Sequence, residues 1–449
     1  MNSEKRNIIV GQSGGPTAAI NSSLAGVYRS AKERGYKKVY GMVHGVQGLM
    51  KGHYIDLSEH IQSGLDEELL KRTPAAYLGS CRFQLPEIHE DKEVFDKIFG
   101  ILDDLEIDCF IYIGGNDSMD TIKKLSDYGM LTGSKVRFVG CPKTIDNDLA
   151  LTDHTPGYGS AAKYIGTSVK EIIRDGMSIM TAHGTVTVVE IMGRNAGWLT
   201  GAACLAEGED CQGPDAIYLP EIAFDVDKFV AKCETLLKEK NSVVVCVSEG
   251  IKTADGKFVM ELGDGIDYVD AFGHKQLSGT ARVLANILSN RLGCKTRAIE
   301  LSTLQRAASH CASRIDILEA SEVGGAALAA ADEGDTGKMV VFVRTYDDPY
   351  QANTEVKDVH KIANEERLVP RSWVNEEGTY VTDDFITYVR PLIRGDVPPI
   401  MVDGIPRHLY RKGYEDIISG KYFEDKQSIF IFDNSETAYE SARSFWFSL

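Results

Sequence analysis

Short β-branched runs alternate along this chain with longer stretches whose apolar residues recur at helical spacing. Nine runs predict strands: NIIVGQ (7–12), KKVYGMV (37–43), DCFIYIG (108–114), VRFVGCP (136–142), TVTVVEIM (185–192), DAIYLP (215–220), SVVVCVS (242–248), TRAIELS (296–302) and KMVVFVR (338–344). Many are apolar on both faces, the pattern of parallel strands buried between helices. Helical patterns separate them, among them TAAINSSLAGVYRSAKERG (17–35), SMDTIKKLSDYG (118–129) and SGTARVLANILSNRLG (278–293). The last two open on a serine suited to N-capping and close on glycine. The alternation predicts a layered α/β protein. No low-complexity tract, proline-rich linker or repeat marks a domain boundary. After about residue 345 the chain turns more polar and irregular, and it ends in the aromatic run SFWFSL.

Charge narrows the partners. Among 449 residues, 66 acidic side chains outnumber 49 basic ones, for a net charge of −17. A protein that tracks nucleic-acid backbones needs the opposite balance, because its affinity comes from neutralising phosphates. Anionic membrane surfaces are disfavoured on the same ground, and no stretch reaches the roughly 18 apolar residues of a spanning helix. The length fits two or three domains at about 150 residues each. The N-terminus runs directly into a strand and a glycine turn, without the apolar core expected of a signal peptide. Nine scattered cysteines, none in a CxxC pair, read as buried reduced thiols of a cytoplasmic protein. The ten histidines form no HxxxH or HExxH pair, so no transition-metal site is expected.

Three predicted strands end in dense polar groups, where open α/β sheets bind ligands. The first is GQSGGPTAAIN, in which Gly14 and Gly15 separate strand from helix and can turn backbone amides toward a phosphate. A merely tight turn explains this segment equally well. The second, IGGNDSMD, offers Gly114, Gly115, Asn116, Asp117 and Ser118. Asp117 suits a cation or a phosphate's magnesium, and a helix cap accounts for Asp117 or Ser118 just as simply. The third, CPKTIDND, crowds Lys143, Thr144, Asp146 and Asp148 into six residues. A solvated loop is the plain alternative, but a loop has little structural reason to gather one lysine and two carboxylates so closely. Phosphoryl transfer to a hydroxyl requires a carboxylate to take the proton, a cation to neutralise developing charge and donors to hold the phosphate. Further strand ends carry MGRNAGWLT, VSEG and TRAIELSTLQR. A chain of net −17 that handles polyanions must concentrate positive charge, and Arg82, Lys143, Arg194, Arg297 and Arg306 are the candidates.

A glycine loop, GGNDS, PKTIDND, MGR, SEG and an LQR arginine, in that order over roughly residues 7–320, resemble the phosphofructokinase family. The resemblance implies two doubly wound, Rossmann-like three-layer α/β domains with an extended C-terminal region and an active site between the domains. It implies a phosphoryl-donor domain of about residues 1–160 plus 305–345, a fructose 6-phosphate domain of about 161–304, and an accessory region of 346–449. By the same resemblance Asp146 is the general base toward the 1-hydroxyl of fructose 6-phosphate, while Thr144 and Asp148 hold the transferring phosphoryl group and the sugar. Met192, Gly193 and Arg194 form the substrate segment, Glu249 binds sugar hydroxyls, and Arg306 and Arg297 grip the 6-phosphate. The family's counterpart of Arg297 comes from a neighbouring subunit, which implies a homodimer or homotetramer. Gly14, Gly15, Arg82, Lys143 and Ser118 belong to the phosphoryl-donor side.

The donor itself turns on two positions. ATP-using members carry GGDGS and PGTIDND, where this chain has GGNDS and PKTIDND. The Asp117 carboxylate would fill the space of a nucleotide's α-phosphate and repel its charge, and Lys143 would stabilise departing phosphate. Both changes resemble the pyrophosphate-using branch, which implies reversible formation of fructose 1,6-bisphosphate and phosphate in glycolysis or gluconeogenesis. Magnesium is implied as the cofactor. Asn116 stands where many members have a magnesium-binding aspartate, so it is the weakest of the assignments. The alternatives are an ATP-dependent enzyme of the same fold, a sugar-phosphate sensor that has lost activity, and a Rossmann oxidoreductase. The last lacks a GxGxxG turn and leaves PKTIDND unexplained.

Overall fold

A computed structural model describes residues 6–263 and 279–411 of the chain. All nine predicted strands form, most within a residue or two of their expected limits. They are β1 (Asn7–Gln12), β2 (Lys38–Met42), β4 (Ile107–Gly114), β5 (Arg137–Pro142), β6 (Thr185–Ile191), β7 (Ala216–Tyr218), β8 (Ser242–Ser248), β9 (Lys295–Glu300) and β10 (Lys338–Asp347). Two further strands, β3 (Tyr54–Asp56) and β11 (Tyr350–Asp358), complete the larger sheet, in the order β11-β10-β5-β4-β1-β2-β3. Both added strands are antiparallel edges. Strand β11 reads YQANTEVKD, with half-exposed and exposed residues in alternation, so it lacks the continuous apolar run that marks an inner strand. It begins inside the stretch taken from the sequence as accessory. The smaller sheet, β7-β8-β6-β9, is parallel throughout.

Each sheet buries both faces. Along β1, Ile8 and Val10 point into a core shared with the helices Ile20–Glu33 and Arg314–Glu333, while Ile9 enters the core under the helices Lys92–Asp104 and Asn116–Thr132. In the smaller sheet Val189 and Ile191 pack toward the helix Tyr158–Met177, and Val186 and Val188 toward the helices Val226–Glu239 and Thr280–Leu292. The protein is therefore three-layered twice over. The helix Arg314–Glu333 returns the chain from the smaller sheet to the larger. Its first-turn Asp316, fully buried, accepts hydrogen bonds from the backbone amides of Gly157 (2.8 Å) and Ser160 (2.9 Å) at the start of the helix Tyr158–Met177. A carboxylate at that N-terminus answers both unpaired amides and the helix dipole.

The predicted helix limits change where packing overrides capping. The helix after β4 begins at Asn116 behind Gly115, so Ser118 lies inside its first turn and does not cap it. It also runs through Gly129 to Thr132 and stops at Gly133, whose φ of 70° suits a left-handed C-terminus. The last predicted helix spans Thr280–Leu292, with Ser278 outside the described residues, as is the run SFWFSL. All nine cysteines are free, and eight are buried. Among the described residues no helix is long and apolar enough to cross a membrane.

Glycine sets the closest helix contact. A Cβ on Gly324 would lie 2.1 Å from the Ser23 carbonyl oxygen, and one on Gly26 would lie 1.9 Å from that of Ser321. Backbone meets backbone there, so nothing can move aside cheaply. Gly324→Ala is expected to cost about 1–3 kcal/mol or more and lower Tm by several degrees. Gly100→Ala, at an exposed helical position with open space around it, is expected to leave Tm unchanged or raise it by the equivalent of about 0.5–1 kcal/mol. Equal Tm values for the two variants in thermal unfolding would contradict this packing account.

Candidate active site

The strand order of the larger sheet reverses between β1 and β4, because the chain leaves β1 toward β2 and leaves β4 toward β5. That crevice is where an open α/β sheet receives ligands. The loops after β1, β4 and β5 meet there, and the Lys143 side chain joins them. Its backbone N–H donates to the Gly114 carbonyl (2.9 Å), and its Nζ donates to the Gly15 carbonyl (2.7 Å). Gly14, at φ +75°, leaves room for the amine, which would lie 3.4 Å from a Cβ at that position. Helix Ile20–Glu33 starts later than its sequence pattern, so Gly14 and Gly15 sit in an open loop whose backbone lines the cleft.

The TIDND loop takes its shape from a residue the sequence did not single out. Asn147 is fully buried in the left-handed region, at φ 55°, a conformation asparagine tolerates better than most residues. Its amide donates to the Tyr388 hydroxyl (2.8 Å) and accepts from the Thr155 N–H (3.0 Å). With Asn147 pinned inward, Asp146 and Asp148 on either side line the cleft. Thr144 Oγ1 accepts from the Asp146 N–H at 3.1 Å and braces the loop.

The smaller sheet supplies the opposite wall from the ends of β6, β8 and β9. Gly193 is needed there, since a Cβ would lie 2.6 Å from the Ala196 carbonyl. Gly250 is needed too, since its Cβ would lie 1.9 Å from the Arg194 carbonyl. The MGR and SEG turns therefore interlock through backbone. The Met192 N–H donates to Gln305 Oε1 (3.1 Å), which ties this turn to the LQR segment. The Gly193 N–H faces Glu249 Oε1 at 3.4 Å. Between the two walls lies a cavity of about 750 Å³.

Several of its charges are held out of water. Lys143 is 2% exposed, and burial pulls its amine down to about 8 against the opposing pull of Asp146 and Asp148. Burial raises the Asp146 carboxyl, with Lys143, Arg306 and Arg194 opposing that rise. Burial and then the Asp146 charge push Asp148 up to about 7, and the same two causes push Glu249 up to about 8. Arg306 is pulled down by burial and by the like charge of Arg82, and its Nε is buried without a hydrogen-bond partner among the described residues. Ser118 Oγ is also buried without one. Buried groups of this kind call for a polar ligand, and clustered guanidinium and ammonium groups call for an anionic one.

Residues 7–331 match the phosphofructokinase family. The chain belongs to that family. It is 38% identical over 407 residues to the pyrophosphate--fructose 6-phosphate 1-phosphotransferase of Xanthomonas campestris pv. campestris, covering 90% of this chain and 96% of that relative. It is 36% identical over 405 residues to the enzyme of the same name from Halomonas elongata, covering 90% and 95%. The crystal structure of pyrophosphate-dependent phosphofructokinase from Nitrosospira multiformis superposes with a TM-score of 0.81 at 34% identity, covering 90% of this chain and 95% of that one.

The phosphofructokinase fold thus gathers Gly14, Gly15, Arg82, Asp117, Ser118, Lys143, Thr144, Asp146, Asp148, Met192, Arg194, Glu249 and Arg306 around one cleft, with Gly193 just behind them. Arg297 is not among them. It lies on β9 and pairs with Asp175 at 2.8 Å, away from the cavity of its own chain. Asn116 lines the same cleft. Its amide donates to the Glu365 carbonyl (2.7 Å) and accepts from the Asn364 N–H (2.6 Å), so both ends fasten the chain beyond β11. That chain brings Asn364 and Glu366 to the cavity, and Asn195 lines it from the other side. Nothing in the polar stretch ANEER marks it as part of a site.

Asp148 gives a pH test. A carboxyl raised to about 7 in the fold and near 3.9 when unfolded makes the native state the tighter proton binder between those values. Stability from this group is therefore full below pH 4 and lost as pH rises through about 7. Asp148→Asn, which has no charge to bury, is expected to raise Tm by several degrees at pH 8, with the gain shrinking toward pH 5, while turnover falls. A Tm difference independent of pH, or a loss at pH 8, would contradict the burial of this carboxylate.

Proposed function

We propose that this phosphofructokinase transfers a phosphoryl group from pyrophosphate to the 1-hydroxyl of fructose 6-phosphate, reversibly, giving fructose 1,6-bisphosphate and phosphate in glycolysis or gluconeogenesis. The observation that carries the reading is the buried ammonium of Lys143 at the join of the β1, β4 and β5 loops, with Asp146 and Asp148 lining the same cleft. The names of the relatives point the same way. The larger sheet, with about residues 1–160 and 305–345, is the donor half, and about 161–304 the acceptor half. The chain acts in the cytoplasm as a homodimer or homotetramer in which Arg297 serves a neighbouring subunit's 6-phosphate.

The 1-hydroxyl oxygen attacks one phosphorus of pyrophosphate, and the bond from that phosphorus to the bridging oxygen breaks. Asp146, whose carboxyl is raised by burial, takes the hydroxyl proton as the new bond forms. Lys143, with the backbone at Gly14 and Gly15, Arg82 and Ser118, neutralises charge developing on the departing phosphate. Thr144 and Asp148 hold the transferring group. Arg194 and Arg306 hold the sugar phosphate, and Glu249 accepts from its hydroxyls. Asp117 crowds and repels a third phosphate.

The cleft's oxygen donors fit magnesium. Among the described residues no three acidic, histidine or cysteine side chains converge as a protein-only cage. Magnesium takes one or two carboxylates plus substrate phosphates, with Asp117 the carboxylate best placed to contribute. When bound it supplies charge neutralisation across the phosphates.

Asp146→Ala is expected to lower turnover by about a hundredfold to ten-thousandfold with little change in fructose 6-phosphate affinity, measured as fructose 1,6-bisphosphate formed and as calorimetric Kd. Survival of turnover would remove Asp146 from the role of base. Asp117→Gly is expected to admit measurable ATP-driven transfer, and a variant that gains none would contradict the exclusion argument.

A further inference from the structure

The segment Asn364–Val369, which the sequence left without a role, runs between the two halves of the cleft and is bonded to both. On the donor side the Asn116 amide holds Asn364 and Glu365, and the Arg367 N–H donates to the Asp148 carbonyl at 2.7 Å. The Arg367 guanidinium donates to the Thr152 carbonyl (3.1 Å) and the Tyr388 hydroxyl (3.2 Å), which fixes the strap against the chain that follows TIDND. On the acceptor side Trp198 Nε1 donates to the Arg367 carbonyl (2.9 Å), and Glu221 Oε1 accepts from both the Gly197 N–H (2.8 Å) and the Val369 N–H (3.0 Å). At the cavity itself Asn195 Nδ2 donates to Glu366 Oε1 at 2.9 Å.

We propose that Glu366 is a positioning residue for the sugar-phosphate acceptor, acting through Asn195 to hold the loop Met192–Gly197 against the donor half of the cleft. The proposal rests on the acceptor half of the function above, in which Met192 and Arg194 meet the sugar phosphate. The loop's other fastenings to Gln305, Glu249 and Glu221 come from segments that follow the strands of the smaller sheet. The Glu366 bond comes from a strap tied to Asn116 and Asp148, which Glu221 joins to the loop only at Gly197, so at the cavity it fixes the acceptor loop relative to the groups that hold the donor. Both partners are exposed at the cavity rim. Removing either therefore leaves the cores intact and releases the Asn195 end of the loop from the strap. A single hydrogen bond to a partly solvated carboxylate corresponds to about a fivefold change in affinity.

The test is the Kd for fructose 6-phosphate by titration calorimetry, which needs no phosphoryl donor, on the full-length protein and its variants. Glu366→Ala is expected to weaken binding about fivefold with Tm unchanged and the KM for pyrophosphate within about twofold. Glu366→Gln, which keeps the acceptor oxygen, is expected to restore binding. Asn195→Ala is expected to match Glu366→Ala, and the double variant to be no weaker than either single one. Unchanged or tighter binding in Glu366→Ala, additive losses in the double variant, or a loss confined to pyrophosphate would each overturn the proposal. A wild-type protein that does not bind fructose 6-phosphate would overturn the acceptor assignment, and this inference with it, before any variant is measured.

Discussion

Lys143 is a cation with almost no access to water, held where three loops of the larger sheet converge. Burying an ammonium is costly unless nearby groups compensate. Here one backbone carbonyl accepts from it, and Asp146 and Asp148 on the same loop offset its charge, with no close ion pair to it among the described residues. The cleft is then a set of opposite charges kept apart by the fold, and Lys143, Asp146, Asp148 and Glu249 are displaced from their ordinary ionisation ranges chiefly by loss of water. An anionic ligand beside Lys143 and Arg306 would supply countercharge to these buried cations. Raised carboxylates, a depressed amine and an orphaned Arg306 Nε are one electrostatic arrangement seen from different residues.

The backbone makes that arrangement rigid. Gly14 clears the space for the amine, Gly193 and Gly250 let two turns interlock, and buried Asn147 holds Asp146 and Asp148 in the cleft wall. Asp316 ties the return helix to the start of the helix that enters the acceptor half. These contacts fix the positions of the charges, and a site that depends on unpaired buried groups needs that rigidity, since any slack would let them find one another or water.

Much of this was legible before any coordinates. The inner strands announced themselves because strands buried on both faces are apolar throughout, and the cluster in PKTIDND stood out because loops seldom gather such charges. The edges β3 and β11 were silent, being short or polar. Serine at position 118 read as a cap because capping is a local signal, whereas the true helix start was set by Gly114 and Gly115 and the close approach of Ser118. Asn147 looked like filler between two aspartates, since left-handed backbone leaves no mark that sequence alone resolves. Asn364 and Glu366 were invisible for a different reason: their role comes from a long-range return of the chain that no local pattern encodes. Arg297 was assigned through resemblance, and its own chain holds it against Asp175, away from the cleft.

The central claim is that Lys143 and Asp117 fit the donor side of the cleft to pyrophosphate. The most direct measurement is fructose 1,6-bisphosphate formation by the purified wild-type protein from fructose 6-phosphate and magnesium, with pyrophosphate or ATP as sole donor in parallel. The account predicts product with pyrophosphate and none, or only a trace, with ATP. Product with ATP alone would keep the fold and the base but contradict the donor assignment, and silence with both donors would contradict the enzyme.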